Sequence, residues 1–375
     1  MPFFLFYDII YNMRNIKRKV ADCMTQYDRM TKTPIPKLII SLSIPTIISM
    51  LISAIYNVAD TFFVSKLGDS QSAAISVVFS LQTLIQAIGF TIGMGSGSMI
   101  SRMLGKQEKD KASVYASSGL FLGFLLGTIF MIVGLCLTPQ LMNLLGASTT
   151  SKPFAVSYAK WIFIAAPFMM MSFILNNSLR SEGLARLSVF GIGLGGLINI
   201  GLDPLCIFTF NMGVSGAGFA TMISQIISFS ILISFYIFKR AETKIGFRFI
   251  SKDAKIYLEA LKCGSPTLFR QGFSTSSNII LSFLGKNYGD YVVAALGITA
   301  KIYLFTRNIV IGMGQAYQPV LGYNYGAHNN ERIKKAFYFT MFAQTILCCI
   351  ATIIVVIFPV QLISFFRDTE EIISV

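Results

Sequence analysis

The chain has 375 residues, of which 54% are apolar, 13% are charged, and the net charge is +14. Soluble domains carry roughly 25% charged residues, so this composition leaves too few charges to hydrate a surface and excludes water-soluble enzyme folds. Apolar stretches longer than ~18 residues predict instead an all-α polytopic membrane protein.

The first 35 residues place an apolar run before a basic cluster at positions 14–19. This order is the reverse of that in a secretory signal peptide. Two interpretations are open. Either translation begins at Met24 or Met30 and the segment is artefactual, or it is a cytoplasmic N-terminal extension that lies on the membrane as an interfacial helix.

Nine helical spans follow, each long enough to cross ~30 Å of hydrocarbon at ~1.5 Å per residue. The first six form a predicted N-terminal lobe (residues 36–240), and the last three form a partial C-terminal lobe (residues 241–375). The predicted limits are Leu38–Val64, Ala73–Ser101, Val114–Leu137, Ala155–Leu179, Leu187–Phe208, Val214–Phe238, Ile256–Leu284, Tyr291–Val320 and Ala336–Pro359.

The basic residues other than Arg270, Lys301 and Arg307 are unequally divided, with 23 on the side of the N-terminus and five on the other. The predicted loop between the fourth and fifth spans contributes Arg180 and Arg186 to the larger group. This positive-inside pattern predicts a multi-pass protein of the cytoplasmic (inner) membrane with a cytoplasmic N-terminus. Topology and contact with anionic membrane lipids therefore account for the net charge, and we expect no nucleic-acid partner.

The chain matches itself at an offset of 221 residues. Twelve of the 61 positions from Pro45 to Gly105 are identical with the residue 221 positions later, including the pairs Asp69/Asp290 and Gly105/Gly326. The offset contains six predicted spans, so the two copies have the same topology, as in transporters with parallel repeats and a substrate path between them. The second copy reaches only three spans by Val375, so we expect that the chain is truncated.

Two carboxylates lie well inside predicted spans, Asp60 in the first and Asp203 in the fifth, each eight residues before an outer loop. Thr221 in the sixth span lies at the same depth, and Asn199 lies one helical turn before Asp203 on the same face. Two nearby carboxylates in a low dielectric bind a proton or a hard cation, so this cluster predicts a site for H⁺ or Na⁺. Separate structural hydrogen bonds are the alternative. We expect no other metal and no cofactor.

Pro45 lies seven residues into the first predicted span. A proline removes a backbone hydrogen bond and lets a helix bend, so it can link ion occupancy at Asp60 to the shape of the helix. A static kink is the alternative interpretation.

Several further polar residues lie within the spans and are candidates for lining a central cavity. The amides among them are equally compatible with hydrogen bonds between helices. The arginines, together with Lys301, either line the cavity or pair with acids on helices beyond Val375. The candidates are Asn57, Gln82, Gln86, Asn176, Asn177, Arg270 and Arg307.

Four segments resemble the multidrug and toxic compound extrusion (MATE) transporters. They are IYNVADTFFVSKLGD, NIGLDP, GVSGAGFAT and QPVLGYNYGA. The resemblance implies a two-lobe antiporter that exports small cationic or amphipathic organic compounds against an inward flow of H⁺ or Na⁺, without an obligatory protein partner. It assigns Asp60, Asn199, Asp203 and Thr221 to the cation site and Pro45 to conformational coupling. Some members carry an acid in the seventh span, where this chain has Arg270.

Two other functions remain open from the residues. A lipid-linked precursor flippase of the same superfamily would bind a polyanionic head group, which the basic trio Arg270, Lys301 and Arg307 favours. An integral-membrane enzyme is disfavoured, because the single His328 lies in a predicted loop and no nucleophile–base pair is present,.

Overall fold

The computed structural model describes residues 25–285 and 290–357, and this part of the chain contains eleven α-helices and no strand. The helices are α1 Gln26–Lys32, α2 Ile35–Ser65, α3 Asp69–Gly105, α4 Lys109–Cys136, α5 Thr138–Leu144, α6 Lys152–Ser181, α7 Ala185–Pro204, α8 Val214–Ile237, α9 Ala254–Gly285, α10 Asp290–Gly326 and α11 Asn330–Ile357. A π-helical turn, Leu205–Thr209, extends α7, and a short 3₁₀ turn, Phe247–Phe249, precedes α9.

The predicted all-α polytopic fold is confirmed. Seven described helices (α2, α3, α4, α6, α7 with its π turn, α8 and α11) are long and apolar enough to cross a membrane. The seventh and eighth predicted spans coincide with α9 and α10, which have 32 and 37 residues. The sequence did not predict α1 and α5, because helices of seven residues are too short to show a 3.6-residue apolar periodicity,.

Two helix boundaries follow the internal repeat. Helices α3 and α10 end 221 residues apart, and α4 and α11 begin 221 residues apart. The equivalent residues Gly105 and Gly326 pack against each other, since a Cβ on Gly326 would lie 2.9 Å from Gly105 Cα. Equivalent residues of two related copies meet only near the axis that relates the copies. The repeat axis therefore passes between the C-terminal ends of α3 and α10.

The end of the bundle at which α2 begins also holds the α3–α4, α6–α7, α8–α9 and α10–α11 connections, and we call it the basic end. Lys109 at the start of α4, for example, donates a 2.6 Å ion-pair hydrogen bond to Glu242 in the α8–α9 connection. Glycines let the backbones approach closely here. A Cβ on Gly264 would collide with the Thr91 carbonyl oxygen, and one on Gly322 with the Ser101 hydroxyl.

The contacts described between α3 and the helices α9 and α10 lie at one end of α3. Among the described residues, the glycine contacts and hydrogen bonds that join these helices all fall within residues 91–105 of α3. One of them runs from Gln318 Nε2 to the Met94 carbonyl oxygen, at 2.9 Å. The described part of the molecule is therefore closed at the basic end.

Helix α1 lies across this closed end. Its Met30 side chain is fully buried, and its Gln26 Nε2 donates a 2.9 Å hydrogen bond to the Glu182 carbonyl oxygen in the α6–α7 connection. On the other side, Asn324 Nδ2 donates to the Met30 carbonyl oxygen at 3.2 Å. Residues 26–32 of the predicted extension thus pack against both the N-terminal bundle and α10, whereas residues 1–24 lie outside the described part.

Candidate functional site

Asp60 faces the interior of the N-terminal bundle from α2 and is 8% exposed. The Tyr158 hydroxyl on α6 donates a 3.0 Å hydrogen bond to Asp60 Oδ2. The second oxygen, Asp60 Oδ1, is buried and has no hydrogen-bond partner among the described residues. One half of this carboxylate is therefore held by a donor, and the other half is available to a ligand.

Asp203 and Asn199 are one turn apart on α7, so their side chains share a face of the helix. Asn199 Nδ2 donates to Asp203 Oδ1 at 3.2 Å and lies 3.5 Å from the Thr221 hydroxyl oxygen on α8. All three side chains are at most 3% exposed. In the described part of the chain, Asp203 Oδ2 and Asn199 Oδ1 are buried without a partner.

Tyr158 connects the two acids. Its hydroxyl forms hydrogen bonds with Asp60 and with the Thr221 side chain. The carboxyl of Asp203 is close enough to interact electrostatically with this hydroxyl and with Asp60. The structure therefore brings together the four side chains that the sequence placed at one depth, Asp60, Asn199, Asp203 and Thr221. The sequence did not identify Tyr158, because the chain has 15 tyrosines and no local motif distinguishes this one from the others.

The charge of this cluster is not balanced by a basic side chain within the described residues. The ion pairs found there are Lys32–Asp28, Lys109–Glu242 and Lys111–Glu108, all near the basic end. Buried polar atoms without partners are uncommon, and three of them point into this cluster,. The described residues contain no group of three or more His, Cys, Asp or Glu side chains that could bind a metal. Carboxylate, amide and hydroxyl oxygens suit H⁺ or Na⁺.

A small cavity adjoins the cluster. It lies between α6, α7 and α8, has a volume of about 20 Å³, and extends from Asn199 and Thr221 to Ser228. Its wall is completed by Tyr56 of α2 and by Ser224. A cavity of this size with several polar partners has room for about one water molecule.

Pro45 lies within α2, whose helix runs without interruption from Ile35 to Ser65. It is 15 residues from Asp60, or about 22 Å along the axis at ~1.5 Å per residue,. A bend at Pro45 would therefore displace the end of α2 that carries Asp60. The role in conformational coupling remains a prediction.

The predicted cavity-lining amides have different surroundings. Asn176 Nδ2 donates to the Ser188 carbonyl oxygen of α7 at 2.8 Å, which is a hydrogen bond between helices. Asn57 and Asn177 donate to carbonyl oxygens one turn earlier in their own helices. Gln82 is buried in α3, and Gln86 is half-buried and contacts Tyr56. For Asn176, the structure therefore shows a hydrogen bond between helices, which was the alternative to a cavity-lining role.

The basic residues of the later spans are only partly described. Arg270 is exposed on α9, and Arg307 Nη2 on α10 donates a 3.0 Å hydrogen bond to Gln271 Oε1. The side chain of Lys301 lies outside the described residues. These contacts are compatible with both interpretations of the trio, a cavity lining or a partner for acids elsewhere.

The expected place of Arg180 was wrong. The sequence predicted a loop residue beyond the end of the fourth span at Leu179, but α6 continues to Ser181 and Arg180 is only 1% exposed. Its guanidinium donates to Asn177 Oδ1 and, at 2.5 Å, to Gln315 Oε1 on α10. The apolar run stops at the polar residues Asn176, Asn177 and Ser178, so the hydropathy pattern placed the end of the span at Leu179. The helix itself continues to Ser181.

Glu182 is a third buried acid, and the sequence did not identify it. Its carboxylate accepts hydrogen bonds from the Thr243 hydroxyl, from the Glu242 backbone N–H at 2.6 Å and from the Tyr236 hydroxyl at 3.4 Å. Complete burial raises the pKa of Glu182 to about 7, although the hydrogen bonds from Thr243 and Glu242 oppose this shift,. Glu182 thereby fastens the α8–α9 connection to the end of α6.

Comparisons with known proteins agree with this architecture. A family model described as MatE matches residues 45–205 and 266–375. The chain is 27% identical over 344 residues to the multidrug export protein MepA of Staphylococcus saprophyticus, an alignment that covers 92% of this chain and 76% of the relative.

Two solved structures are similar to the fold. A crystal structure of MATE in complex with MaL6 has a TM-score of 0.88 and 27% identity, over 93% of this chain and 78% of the other. The second is a MOP superfamily transporter from Pyrococcus furiosus, described as having a binding pocket of reverse polarity that suggests a different function. It has a TM-score of 0.86 and 27% identity, over 94% of this chain and 78% of the other.

Proposed function

The chain belongs to the MATE family, and on that premise we propose that it is an antiporter that exports small organic compounds in exchange for H⁺ or Na⁺. Multidrug export is the activity of its relative MepA, so this chain is a multidrug efflux transporter and not an enzyme. The coupling ion and the site that binds it are the parts of the proposal that rest on the geometry described above.

The observation that carries the proposal is a set of three buried oxygens without partners among the described residues, Asp60 Oδ1, Asp203 Oδ2 and Asn199 Oδ1. Two acids that repel each other in a low dielectric are stabilised by a proton or by a small cation between them. We assign the coupling ion to this position, with the Thr221 hydroxyl as a further oxygen ligand. No other cofactor is part of the proposal.

The closed basic end supports a proposal for the side from which the coupling ion enters. In our proposal the basic end faces the cytoplasm, in accordance with the positive-inside rule, and the protein lies in the cytoplasmic membrane with a cytoplasmic N-terminus. The coupling ion then reaches Asp60 and Asp203 from the exterior while the basic end is closed. Ion binding removes the repulsion between the acids, which allows α2 and α7 to approach, and Pro45 supplies the flexible point of α2.

A flippase for a lipid with a polyanionic head group is the second candidate. The basic side chains Arg270 and Arg307 favour it, as does the reverse polarity stated for the pocket of the similar Pyrococcus furiosus transporter. Restoration of lipid-linked precursor export in a flippase-deficient strain, without any dye efflux, would support this candidate over multidrug export.

Dye export from proteoliposomes driven by one ion gradient at a time tests the main proposal. We expect that either ΔpH or ΔNa⁺ alone drives ethidium export, and that Asp203→Asn abolishes the response to that gradient. Asp69→Asn is a matched control, because Asp69 is an exposed acid at the start of α3. Ethidium export by the wild type that is insensitive to both gradients would refute ion coupling.

A further inference from the structure

Arg180 is the largest of the fully buried side chains in the described part of the chain. Its guanidinium donates to Asn177 Oδ1 on the same helix and to Gln315 Oε1 on α10 at 2.5 Å, and its Nη2 lies 3.9 Å from Met94 Sδ on α3. Both oxygen partners are neutral amides. The three ion pairs found among the described residues do not include Arg180.

A guanidinium removed from water without a carboxylate is a costly arrangement. Hydrogen bonds to neutral amide oxygens compensate only part of the hydration free energy that a full positive charge loses on burial. Ionisable residues inside membrane-spanning helices are retained mainly where they serve a substrate or ion path. The position of Arg180 therefore calls for an anionic partner at another stage of the transport cycle.

The partners of Arg180 belong to different parts of the molecule. Asn177 is on α6 within the N-terminal bundle, whereas Gln315 is on α10, beside the axis of the internal repeat. In the proposed transport cycle, opening of the basic end would separate α10 from α6 and break the bond between Arg180 and Gln315. The guanidinium then lies on the wall of the cleft with a free N–H donor, and Asn177 remains beside it.

We propose that Arg180 binds an anionic group of the transported compound, a carboxylate, sulfonate or phosphate, while the basic end is open. Gln315 Oε1 takes the place of the anion when this end closes. A guanidinium binds such oxyanions in a planar, two-point geometry that lysine cannot reproduce. The inference rests on the proposed export function and adds a substrate class to it, namely amphipathic compounds that carry an acidic group.

The test compares two dyes in everted membrane vesicles, the cation ethidium and the anion carboxyfluorescein. We expect Arg180→Gln to lower the ratio of carboxyfluorescein transport to ethidium transport at least about tenfold, as expected for the loss of a charge-assisted hydrogen bond. Arg180→Lys keeps the charge and should give an intermediate ratio. Arg186→Gln is the matched control, because Arg186 is an exposed arginine six residues away.

Gln315→Glu provides a second test that does not depend on losing the arginine. The new carboxylate forms an ion pair with Arg180 that must break before the basic end opens, so transport of both dyes should slow in parallel. A dye ratio that stays at the wild-type value in Arg180→Gln would overturn the inference, as would wild-type transport rates of both dyes in Gln315→Glu. So would a wild type that transports ethidium but not carboxyfluorescein, whereas transport of neither dye would refute the export function itself.

Discussion

The Tyr158 hydroxyl donates a 3.0 Å hydrogen bond to Asp60 Oδ2, and this bond joins α6 to α2 across 98 residues of sequence. It fixes one oxygen of a buried carboxylate and leaves the other, Oδ1, without a hydrogen-bond partner in the described residues. Oδ2 therefore has a structural role in joining the two helices, and Oδ1 is the oxygen that can bind an ion.

Replacing Tyr158 with phenylalanine removes the donor that orients Asp60. We expect the ion concentration for half-maximal export to change by about tenfold, the usual effect of one hydrogen bond to a charged group. Ion-dependent dye efflux from proteoliposomes measures this. Tyr257→Phe is the control, because that hydroxyl donates to the Ser251 carbonyl oxygen near the basic end. Equal ion dependence in the two variants would contradict the role of Tyr158.

Asp60→Asn and Asp203→Asn should each abolish coupled efflux while membrane insertion and the amount of protein remain normal. Each substitution keeps the shape of the side chain but removes the charge that attracts the ion. Efflux of ethidium under the active ion gradient is the measurement, with Asp69→Asn as the exposed control. Wild-type export by either buried variant would refute the assigned site.

Pro45→Ala should stabilise α2 and slow transport. Alanine is favoured over proline in a helix interior by about 3 kcal/mol, so the variant protein should unfold at a higher temperature. The same change removes the flexible point that our proposal places in α2, so the export rate should fall. Thermal unfolding and initial export rates are measured on the same preparations. A higher unfolding temperature with an unchanged export rate would identify a static kink.

Closure at the basic end depends on the close approach of α9 to α3. A Cβ at Gly264 would collide with the Thr91 carbonyl oxygen, whereas a Cβ at Gly272, two turns later on α9, would have no atom of the described residues within 4 Å. Gly264→Leu should therefore widen the separation of spin labels placed at positions 106 and 334, and Gly272→Leu should not. Equal label distances in the two variants would show that this glycine contact does not control closure.

The buried carboxyl of Glu182 predicts a pH-dependent attachment of the α8–α9 connection. Its pKa is raised from 4.5 to about 7 in the folded protein. The contribution of Glu182 to stability is therefore complete below about pH 4.5 and is lost as the pH rises through about 7. Intrinsic-rate-corrected amide exchange at residues 242–244 should accelerate over this interval, and Glu182→Gln should remove the dependence. An identical pH profile in the variant would exclude Glu182 as its source.

The sequence was sufficient to predict the spans, the 221-residue repeat and the convergence of Asp60 with Asp203. The spans and the convergence of the two acids depend on depth along a helix, and the repeat depends on identical residues at a fixed spacing. Counting residues along the chain measures both. The identification of the cluster as a cation site remains a prediction of function.

Features that depend on the rotation of one helix against another were not predictable in this way. Tyr158 reaches Asp60 only because α6 turns that face toward α2, and no local pattern records it. Arg180 was assigned to a loop because polar neighbours ended the apolar run, although α10 covers that end of α6. Buried polar groups at helix ends are indistinguishable from solvated ones until their neighbours are known.

Infrared difference spectroscopy of the purified protein is the most direct test of the central claim, that Asp60 and Asp203 together hold one small cation. The protonated-carboxyl band is compared between acidic and alkaline pH, and with and without Na⁺ at fixed pH. We predict a band in the wild type that disappears on alkalinisation or on addition of Na⁺ and is missing from Asp203→Asn. The same band, with the same response, in both Asp60→Asn and Asp203→Asn would contradict the claim.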